Sequence, residues 1–144
     1  MVFTVEKVQE EILAHAKAQF PAQKVVEKAW RDAELVPLVN GKVPVYISIE
    51  FGDPQPTKQH SAIGVWGDNH VMPISFFAMS PTPEVTRKLS NRIFQKMLGF
   101  STDYAGELKK RAGGQIMPLV ASNGAMEGYS VLIMFDISIQ LADV

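Results

Sequence analysis

Apolar residues first recur at helical spacing near the N-terminus. Val5, Val8, Ile12 and Ala16 fall three or four residues apart, with Leu13 and Phe20 widening the stripe. This predicts an amphipathic helix over residues 4–19. Thr4 stands where a cap is wanted, and Glu6 lies in the first turn, where the helix dipole favours an acid. Pro21 ends the helix. A second, weaker helix is predicted over 22–34, with Val25, Val26, Ala29 and Trp30 as its apolar positions. Pro37 and Asn40-Gly41 then mark a turn.

The period changes to two over residues 43–51. Val43, Val45, Ile47, Ile49 and Phe51 alternate with Pro44, Tyr46, Ser48 and Glu50. That pattern predicts a strand with the first set buried and the second exposed. A long polar connection, 52–69, follows, with a short strand expected at Ile63–Trp66. Residues 70–79 are apolar on both faces around Met72, Ile74, Phe76 and Phe77, so a strand covered on both sides is expected.

Residues 80–99 carry the strongest helix signal. Thr82 is the cap, Pro83 the first helical residue, and Val85, Leu89, Ile93 and Met97 form the stripe, with Gly99 at the exit. A polar loop is expected over 100–113. Two strands, about 115–121 and 129–141, flank Ser122-Asn123-Gly124 and read as a hairpin. In the last strand Tyr129, Val131, Ile133, Phe135, Ile137, Ile139 and Leu141 share one face. As an exposed edge it would invite aggregation, so helices or a neighbouring subunit should cover it.

These elements predict an α+β fold. A mainly antiparallel sheet of about four to five strands carries an N-terminal helix and a second long helix on one face. No repeat or linker divides the 144 residues, so a single domain is expected.

Composition narrows the function classes. Apolar residues make up 47% of the chain and charged residues 20%, an ordinary globular balance. There is no cysteine, which excludes disulfides, thiolate zinc sites and thiol catalysis. With 14 basic and 15 acidic side chains the net charge is −1, so sequence-independent nucleic-acid binding is not favoured. No signal-peptide core and no membrane-length apolar run are present, and a soluble protein made in the cytoplasm is expected.

The search for chemistry returns little. His15, His60 and His70 lack the spacing of a metal pair, and no metal or cofactor is expected. His15 is expected on the polar side of its helix, His60 on the surface and His70 at a sheet edge. Turn chemistry accounts for Asp53, which precedes a proline, without pairing it to Glu50. Gly113-Gly114 feeds a strand, whereas a phosphate loop feeds a helix. No catalytic residue is assigned.

Two basic features remain. Lys88, Arg92 and Lys96 repeat every four residues opposite the apolar stripe of their helix, with only Glu84 to offset them. Lys109-Lys110-Arg111 forms a like-charge run in the expected loop. Each reads either as a solvated surface or as a docking site for an acidic neighbour.

The order of elements resembles the tail terminator (tail completion) proteins of long-tailed, siphovirus-type bacteriophages, particularly those of actinobacterial hosts. The resemblance runs through most of the chain. It rests on the N-terminal helix and on Val43-Pro44-Val45-Tyr46-Ile47-Ser48-Ile49-Glu50-Phe51-Gly52 entering a long loop. The strand 71–78, the helix opened by Ser80-Pro81-Thr82-Pro83-Glu84-Val85 and closed by Met97-Leu98-Gly99-Phe100, and the terminal hairpin complete it. It implies a structural virion protein without catalysis or cofactor, located in the tail or neck and assembled in the host cytoplasm. Such proteins form a ring, usually a hexamer, that caps the tail tube, stops its polymerisation and joins the head. Implied partners are other copies of the chain, the tail tube protein and head–tail connector or neck proteins. DNA passes through the lumen without sequence-specific binding, and no membrane is involved.

The family offers no transferable interface motif, so contacts are assigned on physical grounds. They are Asp53, Gln55, Thr57, Lys58 and His60 in the long loop, the Lys88/Arg92/Lys96 row, and Lys109, Lys110 and Arg111. Two other readings stand beside this one. The first is another neck or head–tail connector component. The second is a small cone-fold ligand-binding or enzyme domain, for which His70 with Asp136 would be the best acid–base pair.

Overall fold

A computed structural model describes residues 4–56, 69–102 and 105–140. The predicted first helix is α1, Thr4–Gln19, and Val8, Ile12 and Ala16 are fully buried along it. The expected second helix is instead a strand, β1, Lys24–Glu27. Val25 and Val26 are β-branched and fit a pleated surface better than a helix. They pair in parallel with Ile47 and Ser48 of β2, Tyr46–Phe51. Beyond β1, positive φ at Lys28 (50°) and Arg31 (55°) breaks any helical continuation.

A two-residue strand β3, Gln55–Pro56, precedes β4, Asn69–Ser80. The segment with the expected strand at 63–66 lies outside the described residues. Helix α2, Pro83–Met97, begins where predicted: the Val85 amide donates to Thr82 Oγ1 at 3.3 Å. Its buried stripe is Thr86, Leu89, Ile93 and Met97, while Val85 is 39% exposed. Thr86 takes the inward position because its hydroxyl is satisfied there, 2.6 Å from Ser80 Oγ and 2.9 Å from the Thr82 carbonyl. Gly99 leaves the helix at φ +82°, a conformation open to glycine.

The expected polar loop over 100–113 contains strand β5, Lys109–Gly113, which pairs antiparallel with the last strand. Strands β6, Met117–Val120, and β7, Met126–Gln140, form the predicted hairpin. Gly124 turns at φ +87°, and Asn123 Oδ1 accepts from the Ala125 amide at 3.0 Å.

The seven strands among the described residues join one mostly antiparallel sheet, with β1-β2-β4-β7-β5 as its main order. Strand β3 continues the place of β2 beside β4, and β6 that of β5 beside β7. The sheet is therefore five positions wide. β7 is not an edge: it runs between β4 and the β5/β6 pair, in register with β4 from Ser130 opposite Met79 to Ile139 opposite His70. Backbone pairing on both sides, rather than a cover alone, protects this apolar strand.

Both helices pack on one face of the sheet. There Val8, Ile12 and Ala16 of α1 and Leu89, Ile93 and Met97 of α2 meet Ile47, Ile49, Met72, Ile74, Phe76 and the odd-numbered residues 131–139. The opposite face is covered only in part, by a smaller cluster of Ala29, Val36, Val43, Tyr46, Met79 and Leu119. Tyr46 and Ser48, expected to be exposed, are buried for this reason. The crossover 28–45 folds back over them: Tyr46 Oη donates to the Ala29 carbonyl at 3.0 Å, and the Ala29 amide donates to Ser48 Oγ at 2.9 Å. Farther along, Val71, Pro73, Ser75, Leu132 and Met134 remain half-buried, so β4 is fully covered on its helix side alone.

Candidate functional site: an apolar pole and two charged sheet edges

The candidate contacts separate into three regions. Asp53 is exposed in the turn between β2 and β3, and its carbonyl accepts from Gln55 Nε2 at 3.4 Å. Thr57, Lys58 and His60 lie outside the described residues.

The row Lys88, Arg92 and Lys96 is exposed on α2, as its spacing requires. Lys88 pairs with Glu84 at 3.1 Å, a surface pair contributing well under ~1 kcal/mol. The Arg92 guanidinium lies 5.8 Å from the Phe20 ring centroid, so this row faces the end of α1. Below it Gln23, Val45, Val85 and Leu89 line a small groove, where Gln23 Oε1 is buried with no hydrogen-bond partner among the described residues.

The run 109–111 is an edge strand rather than a loop, and the pleat divides it. Lys109 stands opposite Asp136 and Lys110 opposite Phe135, with a bulge at Arg111. Lys110 Nζ lies 5.2 Å from the Phe94 centroid, on the helix side. Arg111 Nη1 reaches Asp136 Oδ1 at 3.4 Å. The fold does not bring the two basic groups together: one flank of α2 faces Phe20, the other faces β5.

The register also breaks up the one acid–base pair considered. His70 stands opposite Ile139, on the helix side, whereas Asp136 stands opposite Pro73, on the other face. The sheet separates them, and Asp136 is engaged by Arg111. β4 is internal, so His70 is not at a sheet edge. His15 does not simply point to water either: its ring stacks on Phe100 at 3.9 Å, with Nε2 3.2 Å from the Lys96 carbonyl. Among the described residues no three His, Asp or Glu side chains gather as metal ligands would. Nor is any described helix long and apolar enough to cross a membrane.

A surface that periodicity did not reveal lies at one pole. Nine large hydrophobic residues are exposed among those described, and seven of them come from the crossover 28–45 and the β6–β7 hairpin. They are Trp30, Leu35, Leu38 and Val39 from the crossover and Met117, Val120 and Met126 from the hairpin, with Val39 and Met117 each 59% exposed. Polar bonds hold the two segments together. Arg31 Nη2 donates to the Val120 carbonyl at 3.1 Å and to Glu127 Oε1 at 2.8 Å. Lys42 Nζ donates to the Met126 carbonyl at 3.3 Å, and the Val43 amide to the Glu127 carbonyl at 2.8 Å. The signal in the sequence was an apolar residue in each turn-like stretch, which carries no period to read.

No protein-family model and no curated protein matches this chain. One solved structure, whose designation states no function, is similar over 96% of this chain and 94% of its own, at 14% identity and a TM-score of 0.48. A likeness at that level adds nothing to the functional argument.

Proposed function

We propose that this chain is a structural virion protein, a ring-forming tail terminator that caps the tail tube, stops its growth and provides the head-joining surface. The observation that carries the reading is the apolar pole. Exposed apolar side chains concentrated on two joined segments suit an interaction surface, and here the Arg31 and Lys42 bonds hold those segments together. The element order that resembles tail terminators supports the same reading. In this role the fold acts by geometry: each copy offers one surface to its neighbour and another to the tube, and a rotation that closes yields a ring. Neither catalysis nor a cofactor enters.

The test is the mass of the purified protein by light scattering after size exclusion, alone and with purified tail tubes. A hexamer-sized particle, or single chains that become a ring on tubes, is the expected result. A ring that binds the head connector but not tubes would move the protein to the neck. Single chains indifferent to tubes and connectors would overturn the reading.

A further inference from the structure

We propose that successive copies of this chain join edge to edge, the acidic flank formed by α1 and β1 of one copy seating on the basic groove between α2 and β5 of the next. The inference rests on the ring reading and names its lateral contact.

Among the described residues the sheet has two open edges, β1 at one end of the strand order and β5 at the other. Beside β5 lies a groove of about 240 Å³, walled by Ser90, Asn91 and Phe94 of α2 and by Lys110, with Val131 and Ile133 as its floor. Among the described residues no carboxylate pairs with Lys110, which rests over the Phe94 ring. Its ammonium, the Ser90 hydroxyl and the Asn91 amide can all donate to an incoming carboxylate. Lys109, opposite Asp136, projects on the other face and stands outside this groove, and Arg111 is taken up by Asp136.

At the opposite edge Glu6 and Glu10 of α1 and Glu27 of β1 line a groove of about 220 Å³ with Gln9 and Leu13. Lys7 reaches Glu10 at 3.6 Å, and among the described residues Glu6 and Glu27 have no cation partner. Each feature alone has a local reason: an acid suits a helix N-terminus, and lysines discourage strand pairing at an edge. Their placement relative to each other has none. Glu27 is in register with Ile49, and Lys110 with Phe135, both core residues of the helix-bearing face. Acid and base thus lie on the same side of the sheet at opposite edges. Two copies set side by side in one orientation bring them together, and the contact is heterologous, as a ring requires. The bulge and lysines of β5 oppose strand addition, so the join is made by side chains.

The experiment compares two double variants with the wild type by light scattering: Glu10→Lys with Glu27→Lys, and Asn91→Asp with Lys110→Glu, both of the latter in the groove lining. Circular dichroism checks that each is folded. The expected result is loss of the wild-type assembly in each variant alone and its return in an equimolar mixture, where reversed edges meet partners of opposite charge. Return on mixing excludes misfolding as the cause of the loss. If the wild type assembles and both variants assemble equally well, or if the mixture stays as single chains, this contact is wrong while the ring reading stands. If the wild type forms no ring even on tail tubes, both fall together.

Discussion

Tyr46 Oη donates to the carbonyl of Ala29 at 3.0 Å, and this bond ties the crossover 28–45 to the second face of the sheet. Burial pushes the Tyr46 phenol above its ordinary value; the Asp32 carboxylate adds to the rise, and Arg31 opposes it. The folded state therefore holds this proton more tightly than the unfolded chain does. Its contribution to stability is complete below the unfolded value near 10.0 and is lost as pH rises through the higher folded value. Urea unfolding of the wild type should show stability falling above that point. Tyr46→Phe should cost about 1–2 kcal/mol at neutral pH and remove that part of the alkaline slope. An unchanged slope in the variant would assign the alkaline loss to another group.

Gly128 should tolerate no side chain. It sits at φ +150°, and a Cβ there would stand 2.5 Å from Val43 Cγ2 and 2.6 Å from the Ser80 carbonyl oxygen. Gly124, at φ +87°, has open space around it. Gly128→Ala should destabilise the fold by roughly 3 kcal/mol or more, through strain and overpacking together, and Gly124→Ala by about 1 kcal/mol. Thermal unfolding of the two variants side by side measures the difference, and equal losses would contradict it.

Thr82 caps α2 through the Val85 amide, while its carbonyl accepts from both the Thr86 amide at 3.1 Å and the Thr86 hydroxyl at 2.9 Å. Only the first of these bonds depends on the side chain. Thr82→Ala should cost about 1 kcal/mol and Thr82→Ser close to nothing. Chemical denaturation would refute the assignment if serine and alanine behaved alike.

The apolar pole should matter for assembly and not for folding. Val39→Glu and Met117→Lys alter side chains that are 59% exposed, so each should change folding stability by less than about 0.5 kcal/mol. Both should abolish or strongly weaken capping of tail tubes, seen as continued tube growth in an assembly reaction. Full capping by both variants would remove the pole from the interface.

Much of this protein was legible from periodicity. The stripes of α1 and α2, the Thr82-Pro83 start, the hairpin around Asn123-Gly124 and the single-faced alternation of β7 all follow from local chemistry that acts within a few residues. Residues 22–34 misled because Val25 and Val26 have both a helical and an extended reading, and only the parallel partner β2 chooses between them. Val85 looked like core because it is apolar. Thr86 took its place because Ser80 and Thr82 supply partners for a buried hydroxyl.

The interaction surfaces belong to the tertiary structure. Sequence located the basic residues, but the pleat and the bulge at Arg111 sent Lys110 toward Phe94 and Arg111 toward Asp136, on opposite faces. Register placed His70 and Asp136 on different faces, and no spacing along the chain could show that. The sequence by itself determined which segments are helices and strands wherever the period was clean, because burial against any apolar partner satisfies such a pattern. Only the tertiary structure decided which residues meet, because strand order and register are set by long-range pairing that no local window contains.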